Sequence, residues 1–202
     1  MDGIAEKEKS VFKKYINLLS KNISFEGKKV LDVGCGTGNF IKTLSFVEKN
    51  IKIYGLDYND KAVKILKKEK YNVEKYNLDD NLNIFFDEKF DIITMFDVIE
   101  HLNSFISFEK ILNKNLVKGG YLVLTTPNSN SIERLFNSSQ YSGEFDPTHR
   151  ILFTPYTMDF FLRRRGFVKI FNYTPYVFSF NRNIFNQNIM YGGQIFVLYK
   201  KK

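Results

Sequence analysis

The stretch Val30-Leu31-Asp32-Val33-Gly34-Cys35-Gly36-Thr37-Gly38-Asn39-Phe40 constrains this chain more than any other. An apolar strand runs into three alternating glycines and then a helical pattern, and glycines let backbone approach a ligand where a side chain would collide. Which ligand depends on the spacing. A dinucleotide turn takes its third glycine one residue later, as Gly-x-Gly-x-x-Gly, and rests a pyrophosphate on the helix N-terminus. Here the third glycine comes early, at Gly38, and Asn39 stands at the dinucleotide position. Asp32, just before the loop, repels a pyrophosphate but can accept a hydrogen bond from a cationic, amine-bearing ligand. The combination favours S-adenosylmethionine over NAD.

The chain has 202 residues, a length suited to one α/β domain with a sizeable core, so a single domain over 1–202 is expected. Its 21 Phe and 12 Tyr place it among globular chains, with the phenylalanines expected mostly in the core. The one cysteine, Cys35, excludes an internal disulfide and a multi-cysteine zinc site, which suits a reducing cytoplasm. Within the glycine loop it reads either as a nucleophile or, with nothing nearby to activate it, as a small residue in a tight turn. No apolar run reaches membrane-spanning length and the N-terminus is charged, so a soluble, cytoplasmic protein is expected. The net charge of +8 raises a nucleic-acid or anionic-surface hypothesis, but the lysines are spread along the chain and read as solvated surface.

Residues 4–22 carry apolar side chains at helical spacing among lysines, within an N-terminal amphipathic segment 1–25 that could bind a membrane surface peripherally, cover a pocket, or simply pack. Strand and helix then alternate: strand 28–33, helix 38–48, strand 51–56, helix 59–69, strand 72–76, strand 90–96, helix 104–115, strand 120–126. That order predicts a mostly parallel sheet covered on both faces. A helix starting near Thr154 or Pro155 ends in Arg163-Arg164-Arg165-Gly166, and strands 167–173 and 194–200 make a hairpin-like sheet edge. Two loops, 128–150 and 174–192, lack periodicity and are expected on the acceptor side.

Strand ends of such a sheet deliver ligand-binding groups. Asp57 ends the second strand, where an acid can take both hydroxyls of an adenosine ribose; the competing role is N-cap of the helix beginning near Asn59. Asp79, in Asn77-Leu78-Asp79-Asp80, could meet the exocyclic amine of adenine or serve only the turn. The buried strand from Phe90 ends in Phe96-Asp97-Val98-Ile99-Glu100-His101. Asp97 could orient an acceptor, and His101 could act as a base or cap the next helix. His149, in Asp146-Pro147-Thr148-His149-Arg150, reads as general base toward an acceptor hydroxyl or as a hydrogen-bonded residue fixing its loop. No cluster with metal-ligand spacing stands out, and no metal is expected.

Together VLDVGCGTG, LDYN, FDIITMFDVIEHL and VKGGYLVLTTPN, in that order and at these spacings, resemble the successive motifs of class I S-adenosylmethionine-dependent methyltransferases. DVIEHL followed by TTPN and DPTHRILFTPYTMDFFLRRRGF is similar to the branch with ubiquinone-type O-methyltransferases and many sugar or natural-product methyltransferases. The resemblance implies an α/β, Rossmann-like three-layer sandwich, its seven-stranded, mostly parallel sheet ending in an antiparallel strand. It implies that Asp32 and the loop Gly34, Cys35, Gly36 and Gly38 serve the methionine portion of S-adenosyl-L-methionine. Asp57, with Tyr58 beside it, would serve the ribose and Asp79 with Leu78 the adenine, while Phe96 and Asp97 would border the methyl group. A histidine at the place of His149 can face the acceptor in this branch.

The expected function is in-line transfer of a methyl group to an oxygen, in preference to a nitrogen, of a small-molecule acceptor such as a quinone precursor or sugar. The sulfonium supplies the leaving group, so the protein mainly positions the reactants and excludes water. Competing readings are an RNA or protein methyltransferase, a NAD-dependent oxidoreductase and a non-catalytic S-adenosylmethionine-binding protein. Nucleic acid is not expected as a partner, and a monomer or homodimer is. Phe136, Tyr141, Phe145, Phe153, Tyr156, Tyr176 and Phe178 could line an acceptor pocket or pack ordinarily, and Arg134, Arg150 and Arg182 could bind an anionic acceptor.

Overall fold

The computed structural model describes residues 2–80, 87–132, 134, 146–174 and 192–202, with the side chains of 2–9 left aside. In chain order the elements are α1 (Asp2–Leu19), β1 (Lys29–Val33), α2 (Asn39–Val47), β2 (Lys52–Asp57), α3 (Asp60–Lys68), β3 (Asn72–Lys75), β4 (Phe90–Phe96) and α4 (Ile106–Asn115). They continue with β5 (Leu116–Pro127), α5 (Pro155–Arg163), β6 (Phe167–Tyr173) and β7 (Gln194–Lys201). Seven strands follow the order β3-β2-β1-β4-β5-β7-β6. β1 pairs in parallel with β2 and β4, and β2 with β3. β7 runs antiparallel to both β5 and β6. This is the mixed α/β sheet that the alternation and the resemblance predict.

The chain packs as two compact units, one of Met1–Thr94 with Ile106–Gly120 and one of Met95–Phe105 with Tyr121–Lys202. In the first, β1 and β2 are almost wholly buried, as the apolar runs of a parallel sheet require. The chain goes from β1 outward to β3 and returns to the other side of β1 with β4, so the strand order reverses between β1 and β4. Ligand sites of open α/β sheets lie beyond the strand carboxyl ends at such a reversal. Asp32 pairs with Thr94 in that register.

The N-terminal helix is used in packing. Ile16 and Leu19 are buried, and the Phe12 ring sits 5.8 Å from that of Phe40 in α2. Ile16, Leu19 and Phe12 therefore serve the first unit's packing, while Val11 on the same helix is exposed. Among the described residues no helix is long and apolar enough to cross a membrane.

In the second unit, Thr154 caps α5 through a reciprocal hydrogen-bond pair with Thr157, with Pro155 in its first turn. Gly166, at φ +82°, follows the helix and leads into β6. The aromatic run of this region packs on itself: Phe161 lies 4.6 Å from Phe105 and 5.8 Å from Phe153, with the Arg165 guanidinium 3.6 Å over the Phe161 ring. Two boundaries differ from the sequence reading. β5 starts at Leu116, directly from α4, and not at the expected 120, so Val117-Lys118-Gly119 is already strand. A short 3-10 turn, Ile99–His101, follows β4 and carries the polar run beyond it.

Gly55 is a point of tight packing in the first unit. A Cβ there would lie 2.8 Å from Cys35 Sγ, Ile41 Cδ1 and Val73 Cγ1, all buried atoms with little room to move. Gly55→Ala should cost about 1–3 kcal/mol in urea denaturation, with part of the loss regained when Cys35 is also changed to Gly. Unchanged stability in the single variant contradicts this packing.

Candidate functional site

In the first unit the end of β2 organises the glycine loop. The Leu56 carbonyl accepts from the amides of Gly34 (2.7 Å) and Cys35 (2.9 Å), and Asp57 Oδ2 accepts from the Gly36 amide at 2.7 Å. Asp57 Oδ1 accepts from the Asn59 amide at 2.8 Å. The helix cap falls to Asn59, whose side chain accepts from the amides of Lys61 and Ala62. Asp57 is therefore not the cap of α3; its side chain is 6% exposed and bound to the loop.

The loop glycines divide by what surrounds them. Gly38, at φ +79°, precedes α2, and a Cβ on it would meet Leu66 Cδ2 at 2.5 Å. Its small size serves helix packing. Gly36, at φ +51°, is different: a Cβ there would have no atom within 4 Å. That open side of the loop is where a ligand can come against the backbone.

Asp32 is 2% exposed and accepts the Thr94 hydroxyl at 2.6 Å. Burial raises its carboxyl to about 7, against the hydrogen bond from Thr94, and Asp57 adds to the rise. The Cys35 thiol is buried too and is pushed far above its ordinary value, first by burial and then by Asp32 and Asp57. It is no nucleophile, because thiolate formation beside two acids is opposed. The turn after β3 is built by Asn77, which accepts from the Asp79 amide at 3.1 Å. Asp79 is half-buried there, and Tyr58 is 72% exposed.

The second unit gathers a different set. Asp97 follows β4 in the left-handed region at φ 53°, a strained backbone for an aspartate. Thr125 holds it, accepting from its amide at 3.0 Å and donating to its Oδ1 at 2.9 Å, while Gln194 Nε2 donates to both carboxyl oxygens. Solvent reaches this side chain, yet the protein around it removes enough water to raise its pKa, against the pull of Thr125, Gln194 and the two histidines. Phe96 is half-buried at the end of β4.

His101 and His149 come together, with ring centroids 4.8 Å apart. The Thr148 hydroxyl donates to Asp146 Oδ1, so toward His101 Nδ1, 3.0 Å away, its oxygen is the acceptor. That places a proton on Nδ1 and leaves the lone pair of His101 on Nε2. His149 Nε2 is 3.8 Å from Asp146 Oδ2, and its side chain is 9% exposed.

Glu100 completes the cluster. It is 1% exposed, and burial followed by the Asp97 charge lifts its carboxyl to about 8. The Thr126 hydroxyl beside it and its own backbone pull the other way, but neither carboxyl oxygen makes a hydrogen bond of good geometry. Glu100, His101 and His149 each offer a ligand atom, all within 4.8 Å of one another. The sequence shows no such set, because His149 is brought to the Glu100-His101 pair only by the fold. One signal was present: an ionisable residue inside Val98-Ile99-Glu100-His101-Leu102. Thr94, Thr125, Thr148 and Gln194 carried no signal at all.

Of the acceptor-side residues, Phe153 is buried in the aromatic packing, Tyr156 is 64% exposed, and Arg134 donates to the Ser129 carbonyl. Arg150 is exposed, its amide donating to the Glu100 carbonyl. Phe136, Tyr141, Phe145, Tyr176, Phe178 and Arg182 lie outside the described residues, as do most of loops 128–150 and 174–192.

Residues 4–170 match a family described as a methyltransferase domain. The chain belongs to this methyltransferase family. Within it the cofactor is S-adenosylmethionine, and the residues around Gly36 fit that ligand: an open backbone face, and an acid at the end of the next strand. The chain is 28% identical over 127 residues to a ubiquinone biosynthesis O-methyltransferase of Nitrosospira multiformis, covering 60% of this chain and 52% of that one. It is 30% identical over 142 residues to the enzyme of the same description from Psychrobacter cryohalolentis, covering 64% and 53%. The chain thus spans about half the length of these relatives. Among solved structures it resembles an S-adenosylmethionine-dependent methyltransferase from Archaeoglobus fulgidus, with 24% identity and a TM-score of 0.68 over 98% of this chain and 94% of that one. It also resembles magnesium protoporphyrin IX methyltransferase from Synechocystis with bound S-adenosylhomocysteine, with 14% identity and a TM-score of 0.68 over 96% and 83%. At these identities the likeness shows the fold.

The raised carboxyls set a pH dependence. An acid whose folded pKa exceeds its unfolded value of about 4 binds protons more tightly when folded. That stability is present at low pH and is lost as pH rises through the folded values of about 7 for Asp32 and about 8 for Glu100. Urea denaturation of chelator-treated protein should show stability falling between pH 5 and 8.5. Glu100→Gln should flatten part of that slope and gain roughly 1–3 kcal/mol at pH 8.5. A slope that rises with pH, or is indifferent to Glu100→Gln, contradicts the assignment.

Proposed function

We propose that this methyltransferase moves the methyl group of S-adenosylmethionine to a hydroxyl oxygen of a small acceptor. The methionine portion is assigned to Asp32 and to Gly34, Cys35, Gly36 and Gly38, the ribose to Asp57 with Tyr58, and the adenine to Asp79. Phe96 and Asp97 border the reacting methyl in this reading. The observation that carries the choice of oxygen is the His101–His149 pair beside Asp97. The Thr148 and Asp146 contacts fix the lone pair of His101 on Nε2, and a hydroxyl must lose its proton while an oxygen–carbon bond forms. In the transfer the methyl–sulfur bond breaks, its electron pair stays on sulfur, and the hydroxyl proton goes to an imidazole, His149 first. The names of the ubiquinone O-methyltransferase relatives support the same choice.

The test is release of S-adenosylhomocysteine by purified protein with quinone precursors, sugars, nucleotide sugars and bulk RNA. At least one small hydroxyl acceptor should be methylated, RNA should not, and His149→Gln should slow transfer by about 10²-fold or more. Methylation of RNA alone overturns the acceptor class. An unchanged rate for His149→Gln at every pH removes His149 as the base.

A further inference from the structure

We propose that Thr94 is a positioning residue for the cofactor, its hydroxyl holding Asp32 so that one carboxyl oxygen is kept for the ammonium group of the methionine portion; this role rests on the assignment of Asp32 to that portion. β4 runs through the first unit as an apolar strand, with Ile92, Ile93 and Met95 all buried. Thr94, 0% exposed, interrupts that run with a hydroxyl. A buried hydroxyl is costly unless it is hydrogen-bonded, and Thr94 finds its partner across the sheet in Asp32 Oδ1, at 2.6 Å. Asp32 in turn interrupts the buried apolar run of Val30, Leu31 and Val33 in β1. An acid and a hydroxyl buried together add little to stability over a well-packed apolar pair, so their presence here points to a ligand.

The register shows why the task falls to Thr94. Gly55, Asp32 and Thr94 stand side by side on β2, β1 and β4, and so share one face of the sheet. Gly55 brings no side chain to Asp32, and the space beside it is taken by Cys35 Sγ, Ile41 and Val73. Thr94 is the neighbour in that row with a proton to donate, and its branched side chain is stiff at χ1, so the hydroxyl is presented in one direction. The bond to Oδ1 orients the carboxyl group. Oδ2 makes no hydrogen bond among the described residues and is left as the acceptor for a ligand N–H.

Electrostatics give the bond a second effect. The titratable groups that face Asp32 are Asp57 from the end of β2 and the Cys35 thiol of the loop, and neither supplies a cation. Burial lifts the Asp32 carboxyl to about 7, Thr94 pulls it back, and Asp57 adds to the rise. A donated hydrogen bond favours the ionised form, so loss of the hydroxyl leaves the acid protonated to higher pH. A protonated acid offers a cationic amine far less than a carboxylate does. Thr94 therefore sets both the direction of Asp32 and the pH at which it attracts the cofactor.

The experiment compares S-adenosylhomocysteine with 5′-methylthioadenosine, which keeps the adenine, ribose and sulfur and lacks the amino-acid end. Calorimetry follows the binding of each to the full-length protein between about pH 6 and 8. Thr94→Val should weaken S-adenosylhomocysteine about 10-fold at neutral pH and move the rise of its affinity with pH upward by about one unit. Binding of 5′-methylthioadenosine should be unchanged, and Thr94→Ser, which keeps a hydroxyl, should recover most of the lost affinity. Circular dichroism checks that the variants are folded, and Thr94→Ala makes the same test should Thr94→Val not fold. Equal weakening of both ligands, or full S-adenosylhomocysteine affinity in a folded variant without the hydroxyl, overturns the role of Thr94. Asp32→Asn separates the two levels of the account. It should weaken S-adenosylhomocysteine at least as much as Thr94→Val does; a loss in Asp32→Asn with none in Thr94→Val overturns Thr94 alone, and no loss in Asp32→Asn overturns the assignment of Asp32 and the role of Thr94 with it.

Discussion

The hydrogen bonds from the glycine loop to the end of β2 are what the candidate cofactor site in the first unit depends on. Leu56 and Asp57 take three successive loop amides, those of Gly34, Cys35 and Gly36, in the space of two residues. A hydrogen bond to a charged acceptor contributes about 1.5–3 kcal/mol, so Asp57 shapes the loop as well as being the acid assigned to the ribose. The Asn59 amide on its other oxygen fixes its direction. The loop is therefore held in place before any ligand arrives, and the open face at Gly36 is a standing feature of the backbone.

The second unit follows the opposite logic. Its polar residues carry strain and unmet demand: Asp97 in a left-handed backbone, Glu100 buried with no well-formed hydrogen bond, two imidazoles against each other. Each costs stability, and such features gather where chemistry is done. A sulfonium donor needs little help to leave, so in the proposed transfer the protein would supply control of the acceptor and of its proton.

The sequence was readable where the candidate site is built from consecutive residues. Gly34 to Gly38, Asp32 and Asp57 stand in one strand-loop-helix-strand unit, and their spacing alone separated S-adenosylmethionine from a dinucleotide. The α5 cap at Thr154 and the stop at Gly166 were equally plain, since both rest on local backbone chemistry. What the spacing hid is tertiary. His149 meets His101 across almost fifty positions, Gln194 reaches Asp97 across 97, and Glu100 looked like one more residue of a strand end. The partner of α1 was hidden for the same reason: the apolar face of a helix does not say which surface will cover it, and Phe40 covers part of it.

A crystal structure with S-adenosylhomocysteine bound would test the central claim most directly. The account predicts the ligand against the backbone of Gly34–Gly38, its tail nearest Gly36, and its ribose hydroxyls on Asp57 with the Gly36–Asp57 hydrogen bond retained. A ligand seated elsewhere, or a loop that must release Asp57 to admit it, would contradict the claim that this cradle is formed in advance.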